Sequence, residues 1–165
     1  MKYFSKIIGL LILILSISAF YSFTYKTTPT TKYRCMIQMI NYTGESAYVV
    51  ISLLNPEGKY EKTLYVQGND KEWYHDITEW WKFHGKKRTN IDAITGATIA
   101  SGERKISLID IDDDKLNKGY KIRFETAVED QKYYTSDVEF ELTSETVNGK
   151  ADGTGFIRYV RLIPN

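Results

Sequence analysis

The residues whose types and spacing suggest chemistry lie in the segment Asp92–Ser101, which reads DAITGATIAS. Thr98 carries a hydroxyl group among small neighbours, and small neighbours let the active site of a second protein approach the backbone closely. Gly96 is expected to adopt a turn conformation that other residues resist. A threonine hydroxyl is a weak nucleophile, so a reaction at Thr98 would need a base to activate it. From the residues alone, a tight loop whose glycine caps a turn is the favoured interpretation.

A second candidate group is acidic and consists of Asp110, Asp112, Asp113 and Asp114. Carboxylates are ligands for hard cations such as calcium. The spacing does not follow the EF-hand loop, because no glycine stands at the sixth position and no glutamate closes the loop. A solvated turn between two strands is therefore the favoured interpretation, and a calcium-stabilised adhesion domain is the weaker alternative.

Aromatic and histidine side chains cluster around one short segment. Trp73, Trp80 and Trp81 could offer a stacking face for a planar ligand, although large aromatic residues more often belong to a core. Adjacent residues of a helix point in different directions, so at least one of Trp80 and Trp81 is expected to be buried. His75 and His84 are nine positions apart and have no nearby cysteine, so packing or surface roles are favoured over a zinc site.

The elements that must position these groups are mostly strands. Seven segments with period-two alternation and flanking turn residues predict strands over Tyr33–Asn41, Ala47–Leu54, Lys62–Gln67, Lys105–Ile109, Gly119–Val128, Ser136–Leu142 and Phe156–Ile163. Asp76 and Glu79 have the spacing of a capping box, which predicts a helix over Ile77–Phe83. The predicted fold class is all-β: an immunoglobulin-like antiparallel β-sandwich over residues 33–165, with one short helix across one end of the sheets.

The N-terminus predicts export. Lys2 and Lys6 precede an apolar run over Ile7–Ile17, and small residues suitable for cleavage follow, so residues 1–25 are interpreted as a signal peptide or signal anchor. The apolar stretch is short for a bilayer span, which favours cleavage over anchoring. Residues 26–32 are interpreted as a linker. We expect an extracytoplasmic location, with membrane association only through the N-terminal segment.

The composition excludes several classes of protein. The 165 residues are 42% hydrophobic and 14% aromatic, which is ample for one folded domain. Lys2 and Lys6 lie in the export segment, leaving 20 of the 22 basic residues against 21 acidic ones. This balance argues against nucleic acid as a partner. Cys35 is the single cysteine, so an intramolecular disulfide and a cysteine-based metal site are excluded.

The segment that contains Thr98 resembles D-x-x-[ST]-G-A-T, the motif at which extracytosolic flavin transferases attach FMN to a threonine through a phosphoester bond. All five specified positions match, at Asp92, Thr95, Gly96, Ala97 and Thr98. A chance match in a chain of this length is expected roughly a few times in ten thousand. The resemblance implies that Thr98 accepts FMN and that the other four residues shape the loop or are recognised by the transferase.

The wider layout is similar to a family of predicted periplasmic proteins of unknown function, DUF2271. The similarity extends roughly from Tyr33 to Ile163 and includes Thr63–Val66, Trp73, Trp80-Trp81, Asp92–Thr98, Gly102, Leu108–Asp114 and Gly119–Ile122. The chain departs from the family pattern at Ile109–Ile111, where Trp-Asp-Gly is usual, and at Ser101-Gly102, where Pro-Gly is usual. The resemblance implies a β-sandwich whose second half is similar to the immunoglobulin-like domain of flagellar hook-capping proteins.

Members of this family are often associated with flavin transferases and with membrane-embedded PepSY-type reductases. The resemblance therefore implies an exported electron carrier with FMN on Thr98. Such a protein is a redox carrier subunit rather than a self-sufficient enzyme, because the flavin performs the redox chemistry. The alternative is a cofactor-free immunoglobulin-like binding or assembly module in the cell envelope.

Overall fold

The computed structural model describes residues 28–87 and 89–165, which form two packed β-sheets. The predicted export segment, residues 1–25, and the first residues of the predicted linker lie outside the described residues, so these predictions stay predictions. In the described ranges, no helix is both long and apolar enough to cross a bilayer. The prediction of an all-β sandwich is confirmed.

Within the described residues the sandwich has nine strands and one α-helix. They are β1 (Thr30–Met39), β2 (Tyr48–Leu54), β3 (Tyr60–Gln67), α1 (Thr78–Lys87), β4 (Thr95–Gly96), β5 (Arg104–Asp112), β6 (Lys121–Ala127), β7 (Tyr134–Glu141), β8 (Lys150–Asp152) and β9 (Ile157–Pro164). Short 3-10 helices cover Lys71–Asp76, Asp92–Ile94, Asp113–Lys115 and Thr146–Asn148. One sheet has the order β5-β1-β9-β8 and the other β4-β3-β2-β6-β7. All pairings are antiparallel except that of β3 with β4, which is parallel.

The main hydrophobic core lies between the two sheets. In β1, the buried residues Tyr33, Cys35 and Ile37 alternate with more exposed ones, as expected for a strand with one face toward a core. Burial raises the pKa of the Cys35 thiol, so this cysteine is a core residue rather than a reactive group.

A second, smaller core lies on the outer face of the five-stranded sheet. Val50 and Val66 point away from the main core and pack with Tyr74, Ile77 and Trp80. These last three residues belong to the helical segment, by which we mean residues 71–87. The helical segment therefore covers this outer face, and the prediction that the helix lies across one end of the sheets is wrong. Because β2 is apolar on both faces, its outer face also has to be shielded from water, and the helical segment shields it.

All seven predicted strands are present, with their ends displaced by no more than three residues. β1 begins at Thr30 because Thr30–Lys32 pair with Asp110–Asp112 of β5, so the last three residues of the predicted linker belong to the sheet. β4 and β8 were not predicted. With two and three residues, they are too short to show a period-two pattern.

The helix begins one residue later and ends four residues later than predicted. The capping box is absent from its start. The amide of Glu79 donates to the hydroxyl of Tyr133 (3.2 Å), and the carboxylate of Asp76 lies 3.2 Å from Nε2 of His75. The hydroxyl of Tyr133, just before β7, therefore accepts a hydrogen bond from a backbone amide at the start of α1, in place of the side chain of Asp76 that the sequence suggested.

Candidate functional site

The first half of the D-x-x-T-G-A-T segment is fixed to the edge of the five-stranded sheet. Asp92–Ile94 form one 3-10 turn, and Thr95 and Gly96 form β4, which pairs with the last residues of β3. The amide of Gly68 donates to the carbonyl of Gly96 (2.6 Å). The segment is therefore an edge strand and not a free loop.

The second half is fixed one residue after the predicted acceptor. The amide of Ile99 donates to the carbonyl of Ala47 (3.0 Å), and the amide of Ala47 donates back to the carbonyl of Ile99 (2.8 Å). The side chain of Ile99 is buried in the main core. Thr98 consequently lies on backbone that is held on both sides.

Thr98 is half-buried and lines a cleft of about 610 Å³, which we call the acidic cleft. Three aromatic side chains line the same cleft, those of Tyr48, Trp73 and Tyr133. The other lining residues are Glu45, Ser46, Asp76, Ile77, Ala127, Val128, Glu129, Asp130 and Gln131. The volume lies in the range of small-molecule and cofactor sites.

The charge of the acidic cleft is one-sided. Four carboxylates line it, and within the described residues no lysine or arginine does. A cleft lined by one sign of charge concentrates its field, so this one favours cationic or neutral groups over a free phosphate. An anionic ligand would need another source of binding free energy to stay there.

Asp92, the first residue of the motif, does not line the acidic cleft. Oδ1 of Asp92 accepts a hydrogen bond from Nζ of Lys71 (2.7 Å), and both side chains are largely exposed. The hydroxyl of Thr95 donates to the carbonyl of Asp92 (3.1 Å), so it is engaged within the turn. Ala97 is exposed beside Thr98. Of the two motif threonines, Thr98 is the one that lines the cleft.

Gly96 is needed for a different reason from the one predicted. It lies in the extended strand β4, and it is not among the glycines with positive φ, so the prediction of a special turn conformation is wrong. A Cβ atom at this position would lie 2.8 Å from the hydroxyl oxygen of Tyr65 and 3.3 Å from Oε1 of Gln67. Close contact with β3, and not backbone conformation, therefore disfavours a side chain here.

Asp92 lines a second cleft, of about 670 Å³, which we call the basic cleft. Three lysines line it as well, Lys71, Lys82 and Lys86. The other lining residues are Tyr74, Trp81, His84, Gly85, Thr89, Asn90 and Ile91. The motif thus contributes its first residue to the basic cleft and its last to the acidic cleft.

The three tryptophans do not form one stacking face. Trp80 is fully buried, and its indole N–H donates to Oγ1 of Thr63 (2.9 Å), which confirms that at least one of the adjacent pair is buried. Trp73 and Trp81 expose 40% and 38% of their surface, but they line different clefts. Each cleft therefore has one tryptophan available to a ligand.

The two histidines have separate roles. His75 is exposed and lies against the carboxylate of Asp76. His84 is buried and stacks on Trp80, with ring centroids 4.7 Å apart and an interplanar angle of 8°. Burial, and to a lesser degree the charge of Lys71, lowers the pKa of His84, so its imidazole is neutral.

The acidic residues Asp110–Asp114 follow the end of β5 into a 3-10 turn. Asp113 accepts a hydrogen bond from the hydroxyl of Thr31 (2.7 Å), and Asp112 lies 3.8 Å from Nζ of Lys62. Within residues 28–87 and 89–165, no group of three or more potential metal ligands is present. These contacts fit the interpretation of a turn at a strand end.

Sequence reasoning missed a buried polar cluster behind the acidic cleft. The carboxylate of Glu125, on β6, is fully buried and accepts hydrogen bonds from the hydroxyls of Tyr60 (2.8 Å) and Tyr133. Burial raises the pKa of Glu125 to about 7, although these two hydrogen bonds, Arg123 and the amide of Trp80 oppose the rise. Tyr133 also lines the acidic cleft and holds the start of α1, so this cluster supports the cleft from behind.

A family model described as "Predicted periplasmic protein (DUF2271)" matches residues 30–159. The matched range takes in the motif, both clefts and all of the sheets except the end of β9. No curated protein and no solved structure matches the chain.

Proposed function

Because the chain belongs to the DUF2271 family of predicted periplasmic proteins and so has its place outside the cytoplasm, we propose that it carries a covalently bound flavin, with FMN attached to Thr98. One observation carries this proposal. The last residue of a complete D-x-x-T-G-A-T segment is held on rigid backbone and lines a cleft that is rich in aromatic side chains.

The residues of the acidic cleft suit a flavin ring better than they suit its phosphate. The rings of Tyr48, Trp73 and Tyr133 provide aromatic surface in a space of about 610 Å³. The carboxylates provide no counter-charge for a phosphate group. Free FMN would therefore be held weakly, and a phosphoester bond to Thr98 overcomes this deficit. Once attached, the flavin supplies electron transfer, and the protein supplies position and electrostatics.

Attachment requires a second enzyme. In that reaction Oγ1 of Thr98 would attack the phosphorus of the FMN half of FAD, forming a new O–P bond while the bond to the AMP half breaks and AMP leaves. The hydroxyl proton would pass to a base of the flavin transferase, whose metal would stabilise the charge on the phosphates. Ala97, exposed beside the acceptor, and Asp92, exposed at the start of the motif, are the residues that the transferase would recognise.

The proposed partners follow from this role. A flavin transferase modifies the chain, and a PepSY-type membrane reductase exchanges electrons with the attached flavin. The chain is then a carrier subunit of a redox system rather than a complete enzyme.

The experiment is co-expression of the full chain with a flavin transferase. We expect a fluorescent band on a denaturing gel, because a covalent flavin survives denaturation, and a Thr98 peptide that is heavier by one FMN unit in mass spectrometry. Thr98→Ala abolishes both signals. Thr95→Ser is the matched control, because the motif accepts serine at that position, and it is expected to be labelled like the wild type.

The transferase must first be shown to label a known substrate in the same cells. An unmodified Thr98 peptide under those conditions contradicts the proposal and favours the cofactor-free binding or assembly module. Label on the Thr98→Ala variant contradicts the assignment of the acceptor.

A further inference from the structure

We propose that the basic cleft binds a small aromatic anion, that is, a planar ring system bearing a phosphate or carboxylate group. Thr98 does not line this cleft, so the inference does not depend on flavin attachment. Three independent features of the lining support it: an uncovered indole face, an unpartnered buried imidazole nitrogen, and an excess of lysines.

The indole of Trp81 is left uncovered by a glycine inside the helix. A Cβ atom on Gly85 would lie 3.4 Å from Cε2 and 3.7 Å from Cζ2 of Trp81, so a side chain there would pack onto the ring. Glycine is unfavourable within a helix, and this position has a backbone conformation that alanine also adopts. The glycine thus keeps the face of Trp81 free at a cost in helix stability, and a free indole face suits a planar ring.

The imidazole of His84 provides a polar group without a protein partner. The side chain is 92% buried, since 8% of its surface is exposed, and Nδ1 makes no hydrogen bond within the described residues. A neutral imidazole has one N–H donor and one acceptor, and a buried polar atom without a partner is disfavoured. His84 also lines the cleft, so its imidazole is a polar group beside which a ligand would lie.

The charge of the lining selects an anion. Lys71, Lys82 and Lys86 outnumber the one carboxylate of the cleft, that of Asp92. Lys71 is paired with Asp92 and Lys82 with Glu79, but the two lysines and Asp92 are largely exposed and Glu79 is partly exposed, and exposed ion pairs are weak. A ligand anion can therefore compete for these lysines.

The test uses AMP as the aromatic anion, with adenosine and inorganic phosphate as probes that each lack one feature. Calorimetric titration of the full chain at low ionic strength is expected to show AMP binding, with both other probes weaker by at least about tenfold. Trp81→Ala and Lys86→Ala each weaken AMP binding by about tenfold. Gly85→Ala also weakens it while raising the melting temperature, which excludes misfolding as the cause.

Trp73→Ala is the matched control, because Trp73 has nearly the same exposure but lines the acidic cleft. It is expected to bind AMP like the wild type. The proposal is overturned if AMP does not bind, if adenosine binds as tightly as AMP, if Trp81→Ala leaves the affinity unchanged, or if Trp73→Ala lowers it equally.

Discussion

The acidic and basic clefts have similar volumes, about 610 and 670 Å³, and each contains one tryptophan that is roughly two-fifths exposed. They differ in charge. Four carboxylates line the first, and three lysines with a single carboxylate line the second. Size and aromatic surface therefore do not distinguish them, whereas charge does. The acidic cleft suits a ligand retained by a covalent bond, and the basic cleft suits an anion retained by its own charge.

Both clefts are built from the same helical segment. In a 3-10 helix, residues three apart lie on the same side. Trp73 and Asp76 accordingly line the acidic cleft, while Lys71 and Tyr74 line the basic cleft. Two turns of this 3-10 helix thus contribute side chains to both clefts, and α1 contributes further residues to the basic cleft.

The largest expected effect comes from removing the side chain on which both clefts rest. Trp80→Ala deletes a fully buried indole, so we expect a loss of about 3 to 5 kcal/mol in the free energy of unfolding. Trp81→Ala, next in sequence but half-exposed, is expected to cost less than about 1 kcal/mol. Urea denaturation followed by circular dichroism measures both. Equal losses in the two variants would contradict the burial of Trp80 in the core beneath the helical segment.

A pH-dependent contribution to stability is expected from Glu125, the buried carboxyl behind the acidic cleft. Burial raises the pKa of Glu125 from 4.5 to about 7, so the folded protein binds this proton more tightly than the unfolded chain does. The contribution of this group to stability is complete below pH 4.5 and is lost as the pH rises through about 7. The contribution of Glu125 to the free energy of unfolding should fall by roughly 2 to 4 kcal/mol over this range, whereas the lowered pKa of His84 acts in the opposite direction in the wild type and in both variants.

The measurement compares the wild type with Glu125→Gln in urea at about pH 5 and about pH 8. The variant keeps the shape of the side chain but does not titrate, so its stability should change less over this range. Glu129→Gln, at an exposed position on the rim of the same cleft, is the control and should keep the wild-type slope. If the stability of Glu125→Gln changed with pH as much as that of the wild type, Glu125 would not be the group whose titration changes the stability.

The smallest expected effect concerns the proposed flavin. Reduction adds negative charge, which the neighbouring carboxylates disfavour, so Glu129→Gln combined with Asp130→Asn should raise the midpoint potential of the flavin on Thr98 by on the order of tens of millivolts. Asn is suitable at position 130 because it tolerates the positive φ of 55° found there. Spectroelectrochemical titration gives the potential. The matched change in the basic cleft, Lys82→Gln with Lys86→Gln, should shift the midpoint potential less. An equal shift would show that the charges of the acidic cleft do not set the potential of the flavin.

The long strands could be predicted from the sequence, whereas the packing of the helical segment over the five-stranded sheet could not. The seven long strands were predicted because each repeats its period over several residues. Glu125 was not recognised, since it falls on the outward side of β6 and becomes buried only when the helical segment covers that face. The requirement for Gly96 was explained wrongly, because no local pattern reveals the hydroxyl of Tyr65 in front of it.

The clefts themselves could not be predicted from spacing. Glu45 and Glu129 are distant in sequence and meet Trp73 only through the fold. The accessibility of Thr98 was predicted, because small neighbours surround it in the sequence. The position of Asp92 at one cleft and of Thr98 at the other was not predicted, because it depends on how the backbone of this segment is fixed against β3 and Ala47.

The parallel pairing of β4 with β3 has a consequence for aggregation. β4 is only two residues long, and it lies at the edge of the five-stranded sheet. If a modifying enzyme detaches this strand to reach Thr98, the backbone groups of Val66 and Gln67 lose their partners. An uncovered sheet edge is a template for strand addition by another chain. The two-residue strand therefore also protects this sheet edge against self-association, and a modification that detached it would expose the edge for as long as the enzyme held the segment.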